Sequence, residues 1–103
     1  ESETVLISLE HGFAGTCDLV WWNTNGELVM TDLKTRKDGS GMYETDDLQV
    51  GAYELAWNER HDKHIDRRSV LIVTDDGKAK EYEATLDPRV FIDVLLAYRG
   101  LRA

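Results

Sequence analysis

Short segments in which apolar and polar residues alternate recur along the first third of the chain. Residues 4–9 read TVLISL, residues 17–22 read CDLVWW and residues 27–33 read ELVMTDL. Alternation with a period of two, in segments rich in β-branched and aromatic residues, is typical of β-strands. The pattern therefore predicts three strands. Residues 23–26, NTNG, are predicted to form a tight turn between the last two, because Asn and Gly tolerate positive φ angles.

The middle of the chain, residues 34–57, reads KTRKDGSGMYETDDLQVGAYELAW. Its glycines lie in the segments KDGSG at 37–41 and QVG at 49–51. Both segments are predicted to form turns, because glycine between apolar segments favours them. Two more strands are then expected, over residues 42–48 and 52–57. The next segment, NERHDKHIDRR at 58–68, has almost no apolar residue, which predicts an exposed loop or a short polar helix.

Strand patterns return after this loop. Residues 69–74, SVLIVT, form a continuous β-branched segment, the sequence DDG at 75–77 predicts a hairpin turn, and residues 80–86 alternate. The last segment, residues 87–100, fits two structures. It could be a helix that begins at Asp-Pro, or a strand that follows a tight Asp-Pro turn. The strand is preferred, because the segment follows a strand directly and begins with β-favouring residues.

These segments together predict the fold class. About seven to eight short strands at regular spacing, separated by turns, indicate an all-β fold: a two-sheet antiparallel β-sandwich. The only proline is Pro88, and no linker divides the chain. Residues 1–103 are therefore expected to form a single domain, and a hydrophobic content of 42% suffices for one core.

Charge and composition narrow the partners and the compartment. The chain has 20 acidic residues against 12 Lys and Arg, for a formal net charge of −8. Such a surface repels phosphate backbones and anionic lipids, so no nucleic acid and no membrane are expected as partners. Cys17 is the only cysteine, which favours a reducing compartment and hence a cytoplasmic protein. A chain that begins at Glu1 leaves room for a segment removed by processing.

Three stretches of the sequence resemble one known family. TVLISLEHGFAGTCDLVWW is similar to that family's opening strand, glycine-containing loop and second strand, and EYEATLDPRVFIDVLLAY is similar to its closing hairpin. KTRKDGSG and QVGAYELAW resemble its Thr-Asp/Asn-x-Asp-Gly-Arg turn and its Gly-x-Tyr strand. The family is the transthyretin-like, or prealbumin-like, group of β-sandwiches, with transthyretin, 5-hydroxyisourate hydrolase and the regulatory domains of carboxypeptidases. The resemblance implies a homodimer or homotetramer with ligand sites between subunits.

The residues that hydrolyse the ureide in this family are replaced here. Thr4 stands where the hydrolase has a histidine in its first strand, and Ser40 stands where it has the turn arginine. Val90 or Ile92 stands where it has the histidine of its last strand, and YRGL at 98–101 is similar to its terminal Tyr-Arg-Gly-Ser with the serine replaced. The resemblance therefore implies the family's scaffold without its usual reaction.

Other polar side chains could supply chemistry on this scaffold. His11 follows Glu10 and precedes a glycine. It could be a general base oriented by the Glu10 carboxylate, or an exposed loop residue. No metal and no cofactor are expected, because His61 and His64 lack a third ligand and Asp46-Asp47 is typical of solvated turns. The catalytic candidates are Glu10, His11, Asp93, Tyr98 and Arg99.

The tryptophans point to a binding surface. Trp21 and Trp22 are neighbours on a predicted strand, so their side chains face opposite sides and one indole points outward. An outward indole is covered by a long neighbouring side chain, by another subunit or by a ligand. The ligand is favoured here, since the resembling family lines its inter-subunit channel with an outward sheet face. The residues expected to bind it are Thr4, Trp21, Trp22, Ser40, Ile92 and Tyr98.

The expected function is a transthyretin-like homo-oligomer that binds a small organic molecule at a subunit interface. The same site could belong to a divergent enzyme of the family that hydrolyses, isomerises or cyclises its substrate. The alternative is a non-catalytic module of the carboxypeptidase-regulatory type that mediates protein contacts.

Overall fold

Five β-strands and two α-helices make up the fold in a computed structural model that describes residues 2–8, 10, 12–37 and 41–102, with side chains for all of these except 2–5, 7, 101 and 102. The elements in chain order are β1 (Ser2–Ser8), β2 (Phe13–Trp22), β3 (Leu28–Arg36), α1 (Glu44–Arg60), β4 (Arg67–Thr74), β5 (Ala79–Ala84) and α2 (Arg89–Arg102).

The strands form one mixed sheet in the order β1-β2-β3-β4-β5. Three neighbouring pairs are antiparallel, but β3 and β4 run parallel, with Val29 opposite Arg67 and Arg36 opposite Thr74. A parallel pair needs a long crossover, and α1 with its flanking loops supplies it. The predicted transthyretin-like, all-β sandwich of two antiparallel sheets is therefore wrong. The described residues form an α+β fold with a single sheet.

Residues 42–57, predicted as two strands around a turn, form most of α1 instead. The helix begins after Tyr43, whose backbone N–H donates to Asp46 Oδ2 at 2.9 Å. The first turn contains acidic residues, whose negative charges interact favourably with the positive end of the helix dipole. Asp46 and Asp47, expected in a solvated turn, are buried at 6% and 3% exposure. Burial of Val50 and Trp57 against the sheet stabilises the helix relative to the predicted pair of strands.

The turn predicted at Gly51 is wrong; it was expected because a glycine between apolar segments indicates a turn. In the structure Gly51 lies in the middle of α1, where a neighbouring segment approaches the helix closely. A Cβ at this position would lie 3.0 Å from Arg68 Nη1 and 3.3 Å from Pro88 Cα. The glycine therefore serves packing and does not end the helix.

The last segment is the helix α2 (Arg89–Arg102), so the preferred strand over residues 90–98 is wrong. Asp87 Oδ1 accepts a hydrogen bond from the Arg89 backbone N–H at 2.9 Å, and this bond lowers the pKa of Asp87. Pro88 comes directly before the helix, where its missing N–H costs nothing. A final strand would need a sheet edge to pair with. The helix instead packs on α1, and the Phe91 ring lies 5.1 Å from that of Phe13.

The predicted strands at the start of the chain and after the loop are confirmed, and so are the turns that join them. Gly26 and Gly77 adopt φ angles of 76° and 82°, the left-handed region that glycine favours. The exposed loop predicted over residues 58–68 is shorter than expected. It spans residues 61–66, because α1 continues to Arg60 and β4 begins at Arg67.

One hydrophobic core lies between the sheet and α1. Met30 of β3, Val50 of α1 and Val70 of β4 are fully buried in it. The second helix lies outside this core and leaves Val94 and Leu96 more than half exposed, at 52% and 59%. Neither helix in the described ranges is long and apolar enough to cross a membrane.

Candidate active site

The strands β2 and β3 part halfway along their length, and polar side chains lie where they separate. Backbone pairing between the two strands covers only residues 19–22 of β2. Next to this ladder, Asp18 Oδ2 accepts a hydrogen bond from the Leu33 backbone N–H at 2.8 Å. A side-chain carboxylate thus replaces the main-chain acceptor that a continuous sheet would provide.

Asp32 and Lys34 follow on β3, on the face that meets α1. Asp32 is 3% exposed, and its Oδ2 lies 3.0 Å from Lys34 Nζ. This ion pair lacks hydrogen-bond geometry, and Oδ2 accepts no hydrogen bond of standard geometry from any described residue. Burial raises the pKa of Asp32, the Lys34 ammonium opposes that rise, and the Asp18 carboxylate adds to it. Two carboxylates in such proximity favour a bound cation.

The helix α1 supplies two polar side chains that position Lys34. Lys34 Nζ donates to Gln49 Oε1 at 2.6 Å, and Gln49 Nε2 donates to the Tyr53 hydroxyl at 2.8 Å. Gln49 and Tyr53 are four residues apart and therefore share one face of the helix. Burial, followed by the charge of Asp32, raises the pKa of Tyr53. The series holds the ammonium next to Asp32.

Cys17 belongs to β2 and lies next to Asp18 of the site. The thiol is fully buried. Burial raises its pKa to about 11, and the charges of Asp32 and Asp18 add to this effect. The thiol is therefore neutral at physiological pH and is not a nucleophile.

Gly15 of β2 leaves room for the Tyr53 ring. A Cβ at Gly15 would lie 2.6 Å from Tyr53 Cε1, closer than carbon atoms approach without displacement. We expect Gly15→Ala to move the ring and to lower the free energy of unfolding by about 1–3 kcal/mol, the usual cost of overpacking. Urea unfolding measures the loss. Gly100→Ala is the control, because its Cβ would meet no described atom within 4 Å. Equal stability of the two variants would contradict this packing.

A second buried ionic cluster links α1 to the segment before α2. Arg68 of β4 lies 3.6 Å from Asp47 and 3.5 Å from Glu54, and it donates to the Leu86 carbonyl at 2.7 Å. Asp47 Oδ2 in turn accepts the backbone N–H groups of Thr85 and Leu86. The cluster therefore joins α1, β4 and the segment before α2, although Asp47 Oδ1 and Arg68 Nη1 have no hydrogen bond of standard geometry among the described residues.

The residues predicted to be catalytic lie elsewhere. Glu10 is exposed, and its backbone N–H donates to Glu59 Oε1 at 3.1 Å. Arg99 donates to the Gly12 carbonyl at 3.0 Å, which brings the end of α2 to the loop that holds Glu10. Asp93 and Tyr98 are exposed on α2, and His11 lies outside the described residues. No group of three or more His, Cys, Asp or Glu side chains gathers within the described ranges.

The residues predicted to bind a ligand are dispersed as well. Trp21 is half-buried in the wall of a polar cavity of about 260 Å³, and its Nε1 donates to Thr31 Oγ1 at 2.9 Å. Trp22 is 60% exposed, with Lys63 Nζ 5.9 Å from its ring centroid, so it is the predicted outward indole. The others lie on α2 (Ile92 and Tyr98), in β1 with an undescribed side chain (Thr4), and outside the described residues (Ser40).

The sequence contains two signals for this site. Asp32, Lys34 and Arg36 place three charges at alternate positions of the third predicted strand and its continuation, which puts all three on the same face. Charged residues on a buried face are uncommon and indicate a function or a specific pairing. Gln49 and Tyr53 share a face only if residues 49–53 are helical, and the strand interpretation concealed that relation.

Comparisons with known proteins support a fold but show no family. No family model matches the chain, and no curated protein matches it. The chain is similar to a solved structure described as "Crystal structure of SSO0001", with a TM-score of 0.64 and 21% sequence identity. The match covers 98% of this chain and 49% of that chain, so the chain spans about half the length of the protein it matches. At this identity the likeness concerns the fold alone.

Proposed function

We propose that this chain hydrolyses phosphodiester bonds of nucleic acid with a divalent metal ion held by Asp18 and Asp32. The observation that carries the proposal is the meeting of two carboxylates and one ammonium where β2 and β3 part. Within it, Asp32 Oδ2 is buried and accepts no hydrogen bond of standard geometry from the described residues. Phosphodiester hydrolysis uses this combination of groups, because carboxylates hold the metal ion and a cationic donor faces the phosphoryl oxygens.

The two carboxylates fit a hard divalent cation. Mg²⁺ prefers carboxylate oxygens, keeps several of its waters, and is commonly bound by one or two carboxylates together with substrate phosphates. A site with two carboxylates and, among the described residues, no third acidic or histidine ligand matches that pattern. Asp32 would gain from a cation, because burial and a second carboxylate both raise its pKa.

The protein's own groups would bind and orient the substrate. When bound, the metal ion polarises the phosphoryl group and lowers the pKa of the attacking water. Lys34 Nζ, held by Gln49, donates to a non-bridging phosphoryl oxygen and stabilises the charge that grows there in the transition state. The water oxygen forms a bond to phosphorus and loses one proton to solvent, while the bond to the sugar oxygen breaks and that oxygen gains a proton.

The acidic charge of the chain does not preclude this substrate. The expectation of no nucleic acid rested on a formal net charge of −8 summed over all residues. The potential at a cleft depends instead on the groups around it. Lys34 and Arg36 share one face of β3, where they pair with Asp32 and Asp46, so a divalent ion would add two positive charges to a site whose own charges are already balanced.

We expect cleavage of a fluorescently labelled oligonucleotide that requires Mg²⁺ or Mn²⁺ and stops when EDTA is added. Lys34→Met should lower the rate by about 100- to 1,000-fold, the usual loss when one donor to the transition state is removed. Lys78→Met makes the same charge change at a lysine whose side chain is 85% exposed, and it should keep the rate. Cleavage in the presence of EDTA, or equal losses in the two variants, would contradict the proposal.

The small organic ligand at a subunit interface, and the homodimer or homotetramer that would form it, stay predictions. Their argument depended on the outer face of a sandwich, and the sheet found here has another topology. The carboxypeptidase-type contact module depended on the same sandwich. We therefore prefer the site of Asp18, Asp32 and Lys34.

A further inference from the structure

An apolar groove lies next to the candidate active site, between β2, α1 and α2. We call it the aromatic groove; it has a volume of about 360 Å³, and Phe13, Leu48, Gln49, Tyr53 and Phe91 are among the residues that line it. This volume is at the lower end of the range for small-ligand pockets, which is about 300–1,000 Å³. The groove is thus large enough for one flat ring system and too small for a folded partner.

The groove presents aromatic rings that the fold leaves partly uncovered. Phe13, Tyr53 and Phe91 come from three different elements and are all half-buried. The Phe13 and Phe91 rings meet edge to face, with centroids 5.1 Å apart and planes at 67°. Val94, which also lines the groove, is 52% exposed. Aromatic side chains with open faces bind other flat π systems by stacking.

The groove and the candidate active site share side chains. Gln49 lines the groove and also accepts the hydrogen bond from Lys34 Nζ at 2.6 Å. Tyr53 lines the groove and accepts a hydrogen bond from Gln49 at 2.8 Å. Only the Gln49 side chain would therefore separate a phosphate at Lys34 from the groove, and a nucleotide joins a phosphate to a flat ring.

We infer that the aromatic groove binds one unpaired base of the nucleic-acid strand whose phosphate lies at Lys34. This inference rests on the proposed function and adds a specificity to it. A base inside a duplex is stacked between its neighbours and cannot enter a groove between helices unless it is flipped out. The chain therefore selects single-stranded substrates, and the bases contribute to binding without being read by hydrogen bonds.

The test is binding of a labelled oligothymidylate in EDTA, followed by fluorescence anisotropy. The same strand is compared with a fully abasic strand of equal length, and with its duplex. We expect the fully abasic strand to bind roughly tenfold more weakly, as removal of one base-stacking contact does. The duplex should bind more weakly than the single strand. Phe91→Ala should remove the difference between normal and abasic strands, and Phe91→Leu should reduce it while keeping the groove filled.

Leu96→Ala is the matched control, because Leu96 lies on the same helix and is 59% exposed. It should bind all strands as the unmodified chain does. Equal affinity for normal and abasic strands, unchanged discrimination in folded Phe91→Leu, or self-association that Phe91→Ala abolishes would overturn the inference. The metal-dependent cleavage assay separates the two proposals. If normal and abasic strands are cleaved equally, the groove inference fails, whereas the lack of any cleavage removes the proposed function.

Discussion

Asp32→Asn is expected to reduce cleavage by at least about 1,000-fold, because the metal ion it helps to hold supplies several kcal/mol of charge stabilisation. The same change should leave the protein at least as stable at neutral pH. Burial raises the pKa of Asp32 above its ordinary value, so the ionised carboxylate destabilises the folded state. Its contribution is most favourable below the ordinary aspartate pKa and is lost as pH rises through the raised value. Asn carries no charge and avoids this loss.

Asp66→Asn is the control of opposite sign. Asp66 Oδ2 pairs with Lys63 Nζ at 2.8 Å and accepts the Leu28 backbone N–H at 2.8 Å, and these contacts, Lys63 first, lower its pKa. Its stabilising contribution is therefore present at neutral pH and is lost as pH falls through the lowered value. Asp66→Asn should lower stability at neutral pH and keep the cleavage rate.

Urea unfolding at neutral and acidic pH, with and without Mg²⁺, measures these differences together with the cleavage assay. Mg²⁺ should stabilise the unmodified chain and Asp66→Asn, because an ion that binds only the folded state shifts the unfolding equilibrium. It should not stabilise Asp32→Asn. An Asp32→Asn variant that keeps more than about a tenth of the rate would contradict the assigned role of this carboxylate.

Trp57→Ala should lower the free energy of unfolding by about 3–5 kcal/mol, the usual cost of removing a large aromatic side chain from a core. Trp57 is 6% exposed and packs in the core between α1 and the sheet. Its Nε1 donates to the Lys63 carbonyl at 3.0 Å, and its ring stacks on His61 with centroids 3.6 Å apart. The substitution therefore leaves a cavity and also releases the loop that follows α1.

Trp22→Ala is the matched control, since Trp22 is 60% exposed at the end of β2. Its loss removes one cation–π contact with Lys63 and should cost less than about 1 kcal/mol. Circular dichroism during urea unfolding measures both variants without relying on tryptophan fluorescence. Comparable losses in the two variants would place Trp57 outside the core and contradict the helix α1 as described.

Much of the sheet could be predicted from local patterns, whereas the helices could not. Residues 17–22 and 27–33 alternate with a period of two, and the glycine between them permits the hairpin. Residues 42–57 mix short apolar stretches with a glycine, and that pattern fits two strands around a turn as well as one helix. Packing resolves the ambiguity: in the helix Val50 and Trp57 lie about two turns apart on one face, and both are buried against the sheet.

The candidate site illustrates the same division. Its residues come from three elements: Asp18 from β2, Asp32 and Lys34 from β3, and Gln49 with Tyr53 from α1. The alternation of Asp32 and Lys34 is visible in the sequence, but the place of Asp18 depends on where the β2–β3 ladder ends. The resemblance to transthyretin-like proteins implied other residues, among them Thr4, Ser40 and Ile92, because it rested on local strand and turn patterns.

The sequence by itself determined the strands and their hairpins, since side-chain alternation and positive φ at glycine are properties of a few adjacent residues. The tertiary structure decided that the middle segment is a helix and that β3 and β4 run parallel, because burial against a sheet formed by distant residues outweighs local preference. It also decided the site, since the carboxylates and the ammonium meet only once β2, β3 and α1 have packed together.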